Sequence, residues 1–71
     1  MGFNVKLFGE RLRELRNERG VGTVVLGKAL GVSDATISRW ENGMMGPSVD
    51  SVFKISKFFN VSAGYLIGTE N

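Results

Sequence analysis

Phe8, Leu12 and Leu15 stand four and three residues apart, and charged residues fill the gaps between them. Such spacing lays one apolar stripe along a helix. It predicts a first helix over Val5–Arg19, capped by Asn4 and stopped by Gly20. A second helix is predicted over Thr23–Leu30, with Leu26, Leu30 and one of Val24 or Val25 facing inward. Gly27 inside it costs about 1 kcal/mol relative to alanine, a cost that makes sense where another helix backbone comes close. Val21–Leu26 is the one ambiguous run, because its valines also favour an extended strand.

A third helix is predicted from Asp34 to about Asn42, capped by Ser33 and stopped by Gly43. Ile37 and Trp40 wedge it against the body. Asp34, Ala35, Ser38 and Arg39 then face outward, and a helix so presented has the geometry to lie in a DNA major groove. Ser48 caps a fourth helix over Val49–Phe59, whose stripe is Val49, Val52, Ile55, Ser56 and Phe59. Phe53, Phe58 and Phe59 cannot all face inward on so short a helix. Phe59 is assigned to the core and Phe58 to a more exposed face. After Asn60, Ser62 caps a last helix over Ala63–Ile67, closed by Gly68. The expected fold is all-α, with five short helices in a single domain over residues 1–71. Helices two and three, joined by Gly31-Val32-Ser33, form a helix-turn-helix.

Composition narrows the function more than it names it. The chain has no cysteine and no histidine, which removes disulfides, thiolate chemistry and the usual zinc ligands. No glycine-rich phosphate loop follows a strand, and so small a chain has little room for a pocket. An enzyme is not expected, nor a metal, a cofactor or a small-molecule substrate. Nine Lys and Arg against seven Asp and Glu give a net charge of +2, which permits DNA binding without demanding it. Lys6, Glu10 and Arg13 stand at helical pairing distances, so much of the charge on the first helix reads as a solvated face. There is no secretory apolar region and no apolar run near the ~18 residues a membrane span needs. A cytoplasmic protein, on the nucleoid when bound, is expected.

Three pieces in order resemble the Cro/repressor-type helix-turn-helix family of phage and bacterial transcription regulators. They are GERLRELR, LGKALGVSDATISRWENG and PSVDSVFKISKFFNVSAGYLIG, and together they cover about Phe8 to Gly68. The resemblance implies a five-helix DNA-binding domain, usually a homodimer on a near-palindromic double-stranded operator. It makes the third helix the recognition helix. The family's base-reading positions fall on Asp34, Ala35, Ser38 and Arg39, with Thr36 nearby. Arg39 can donate two bonds to guanine O6 and N7, and Asp34 can accept from cytosine N4.

The resemblance also places phosphate contacts at Gly22, Thr23 and Asn42. The family commonly has Ser or Thr followed by Gln where this chain has Gly22-Thr23; Gly22 offers no hydroxyl and Thr23 is too short to copy the glutamine, while the backbone amides there can still hold a phosphate oxygen. Asn42 reads equally as a C-terminal cap. Arg16 and Glu41 fall where the family often sets an ion pair between helix one and the end of helix three; the alternative is two separate surface charges. Met44, Met45, Pro47, Phe58, Ala63 and Tyr65 are the implied dimer seam. A rival function is a protein-interaction module, or an antitoxin, that keeps the helix-turn-helix shape. The length fits a whole small Cro-like protein and equally the N-terminal part of a longer repressor.

Overall fold

The computed structural model describes residues 3–70 as five helices: α1 (Val5–Arg19), α2 (Thr23–Leu30), α3 (Asp34–Glu41), α4 (Val49–Phe59) and α5 (Ala63–Ile67). Local chemistry starts and stops them. The side chains of Asn4, Ser33, Ser48 and Ser62 each accept the backbone N–H three residues on. A cap of this kind stabilises a helix by about 1 kcal/mol. Gly22 starts α2 without a side-chain bond. Asn60, at φ 57°, takes the left-handed turn after α4 that glycine takes after α1, α2 and α5. Val21–Leu26 forms no strand; helix begins at Thr23.

α3 sits against α1 and α2, while α5 closes the far side against α1 and α4. Phe8 and Leu12 of α1, Leu26 and Leu30 of α2, Ile37 and Trp40 of α3, Val52, Ile55 and Phe59 of α4, and Leu66 of α5 make the core. Leu15, Val21 and Val32 pack against it.

Several expectations need correction. Val24 and Val25 are both exposed, at 52% and 59%, because Leu26 and Leu30 alone satisfy the inward face of so short a helix. Val49 is 73% exposed, since it occupies the first turn of α4, where the chain has only just joined the body. Among the phenylalanines of α4, Phe53 is the outward one at 56%, whereas Phe58 is half-buried and meets Phe59 edge-on at 4.8 Å. α3 ends at Glu41, one residue early, with Asn42 as its cap. What comes close to Gly27 is the turn backbone: a Cβ there would stand 2.7 Å from the Val32 carbonyl oxygen. Arg13 does not spend its charge on α1 but reaches α3.

Candidate nucleic-acid interface

Three α1 residues on successive turns meet the C-terminal end of α3. Gly9 comes first: a Cβ on it would fall inside van der Waals contact of the Trp40 carbonyl oxygen and 2.9 Å from that of Glu41. Only a residue without a side chain lets the two helices close to this distance. Arg16 comes next. Its Nε donates to Glu41 Oε2 at 2.6 Å and its Nη2 to Oε1 at 3.0 Å, a two-bonded fork, while Nη1 donates to the Val21 carbonyl at 3.1 Å. The Glu41 side chain is only 4% exposed, so the charge is paired where water cannot reach it. Hydrogen bonding to Glu41 raises the Arg16 pKa above its ordinary value against the opposing effect of burial. The guanidinium therefore stays charged across the whole working pH range. Arg13 lies between them, donating from Nε to Glu41 Oε1 at 3.4 Å and from Nη2 to Asn42 Oδ1 at 2.9 Å.

These contacts turn one side of α3 outward. Ile37, Trp40 and Glu41 are buried; Asp34, Ala35, Ser38 and Arg39 are exposed. Among the described residues, neither Asp34 nor Arg39 joins an ion pair. Thr36 is half-buried, and its hydroxyl lies 3.0 Å from that of Ser33, so it serves the start of the helix. Asn42 is exposed beside this row, with its Nδ2 3.4 Å from Ser38 Oγ. Gly22 is exposed and Thr23 half-buried at the start of α2, whose first amides have no side-chain acceptor from the cap.

The residues assigned to a dimer seam fall into two groups. Met44 and Met45 are exposed, and Pro47 lines an apolar groove with Phe3, Val49, Val52 and Ile67. Phe58, Ala63 and Tyr65 instead rest half-buried against the core. The Arg11 guanidinium covers the Tyr65 ring at 4.3 Å. Arg13 escaped the sequence reading. Its spacing from Arg16 put both on one face of α1, but nothing local showed that Asn42 would meet it.

A short helix held from behind, with polar side chains and one unpaired arginine outside, defines a helix-turn-helix domain of the transcription-regulator class. A helix-turn-helix family model matches residues 12–66, and the chain belongs to that family in its Cro/repressor-type form. The repressor protein C2 of Salmonella phage P22 is 36% identical over 64 residues, which is 90% of this chain and 30% of that protein. The transcriptional activator BcrR of Enterococcus faecalis is 38% identical over 63 residues, 89% of this chain and 31% of that protein. The chain thus spans less than a third of the length of either curated relative. A crystal structure of the P22 c2 repressor with a synthetic operator matches with a TM-score of 0.85 at 34% identity, covering 90% of this chain and 97% of the other. No described helix is long and apolar enough to cross a membrane.

Proposed function

We propose that the chain binds double-stranded DNA in a sequence-specific way, as a phage or bacterial transcriptional repressor acting in pairs on a near-palindromic operator. The observation that carries this reading is the unpaired Arg39 on the open side of a helix whose back is clamped to α1. In the proposed complex Arg39 reads guanine, Ser38 and Asp34 contact neighbouring base edges, and Ala35 clears or touches a thymine methyl. Asn42 and the amides of Gly22 and Thr23 hold phosphates, fixing register without reading sequence.

Two substitutions test it. Arg39→Ala costs about 1–3 kcal/mol on the preferred site and relaxes choice at one base pair. Asn42→Ala weakens preferred and unrelated DNA by similar factors. Selection of binding sites by each variant separates the roles. An Arg39→Ala protein with unchanged base preference overturns the reading assignment.

The size of α3 supports pairing. The eight residues of α3 span only about 12 Å, too few base pairs for useful specificity. Two copies on successive turns of one DNA face place their recognition helices about 34 Å apart. The molecule measures 32 × 24 × 20 Å, so such neighbours are close enough to touch. Met44, Met45 and Pro47, extended by exposed Val49 and Phe53, are the proposed seam; Phe58, Ala63 and Tyr65 have less surface to offer. Binding to one half-site with no gain from the second rejects pairing.

One observation favours the rival reading, a protein-interaction module or antitoxin: Val24 and Val25 present apolar surface at the start of α2. Titration onto random duplex at low and high salt decides between the two. Salt-sensitive binding supports DNA, and no binding at low salt supports the rival.

A further inference from the structure

We infer that Arg13 is a positioning residue of the DNA interface: it fixes the Asn42 amide so that its N–H side, and not its oxygen, is offered to a phosphate. The inference rests on the DNA-binding reading above and deepens it. A guanidinium carries only donors, so Arg13 can hold the amide by its oxygen alone. The 2.9 Å bond from Nη2 to Asn42 Oδ1 does this. With the oxygen taken, the NH2 group turns the other way. One of its hydrogens has Ser38 Oγ at 3.4 Å, and the second is left for an outside acceptor. An amide free to flip would spend part of its time aiming a lone pair at the phosphate oxygens, which repel it.

Arg13 is itself held. Its Nε is 3.4 Å from Glu41 Oε1, and Glu41 is locked by the Arg16 fork. The restraint therefore starts at the Arg16–Glu41 pair and runs outward through Arg13 to Asn42. Each member fixes the next, and the last one touches DNA. Arg13 is half-exposed, so its removal leaves the core and the buried ion pair in place.

A double-mutant cycle on the whole chain tests this, with affinity for a random duplex measured near 0.1 M salt. There a Debye length of about 10 Å screens the long-range effect of the charge that Arg13 takes with it. Arg13→Met and Asn42→Ala each weaken binding about tenfold, the scale of one hydrogen bond to a charged group. The double variant matches the weaker single variant to within about twofold, because Arg13 has nothing left to orient. Arg13→Gln, too short to span Glu41 and Asn42, repeats the cycle independently. Circular dichroism checks that each variant is folded.

Multiplying effects, to about a hundredfold in the double variant, overturn the proposal. So does a fall of about 0.9 in the slope of log K against log salt for Arg13→Met alone, which marks Arg13 as a phosphate contact in its own right. An Arg13→Met protein that binds like the wild type overturns it too. A wild-type protein that binds no duplex at low salt defeats the DNA-binding reading itself, a result distinct from all of these.

Discussion

At its start α3 is held by neutral groups close in sequence; at its end it is held by charges brought from far away. Ser33 Oγ accepts the Thr36 N–H at 3.1 Å, and the preceding turn lies on Gly27. At the other end Arg16 reaches Glu41 across 25 residues and Arg13 reaches it across 28. The difference shows how a small domain can aim a helix. The start sets where α3 begins, and the end sets which side of it faces the solvent. The two anchors also fail differently. A lost cap costs one hydrogen bond, whereas a lost buried partner leaves a charge without its counter-ion and with little water around it.

The largest expected effect is therefore at the charged end. Glu41→Ala strands Arg16 and destabilises the domain by about 3–5 kcal/mol. A chain of this length has only ~4–10 kcal/mol in total, at the usual contribution per residue. Chemical denaturation of the variant should show much of the stability gone, and a loss below 1 kcal/mol would mean the pair is not shielded as the geometry indicates. Gly9→Ala follows, at about 2–3 kcal/mol, because its methyl meets backbone that cannot move without lifting α3 from α1.

Gly27→Ala is milder, near 1 kcal/mol. It too meets a backbone oxygen and, like Gly9→Ala, regains about 1 kcal/mol of helix propensity, but a turn yields more easily than two packed helices. A Gly27→Ala loss larger than that of Gly9→Ala would invert the comparison. Ser33→Ala should cost about 1 kcal/mol. Val25→Lys, on exposed surface, should change stability least, within about 0.5 kcal/mol, a shift of about 2–4 °C in the thermal midpoint.

The same contrast explains what could be read from the sequence. All five helices were legible because caps and stops act within four residues: Asn4, Ser33, Ser48, Ser62 and the glycines after α1, α2 and α5 carry their own chemistry. The outward row of α3 was legible because Ile37 and Trp40 fix its phase. The Arg16–Glu41 pairing was visible only through resemblance, since no local rule joins residues so far apart. The Arg13–Asn42 bond had no signal at all. Exposure on α4 was misjudged for a related reason. Periodicity gives the phase of a helix but not how far along it the neighbouring elements reach, so Val49 fell on the stripe yet lies beyond the body that would cover it.

Trp40 is the chain's one tryptophan, and it sits under the end of α3, edge-on to Phe8 with ring centroids 6.0 Å apart. Among the described residues its indole N–H meets no acceptor. An excited indole in buried, apolar surroundings emits at shorter wavelength than one in water. The molecule thus carries an optical gauge at the joint that aims its recognition helix. DNA arriving on the outward face should leave the colour of that emission unchanged, while any loosening of the joint admits water to Trp40 and shifts the light to the red.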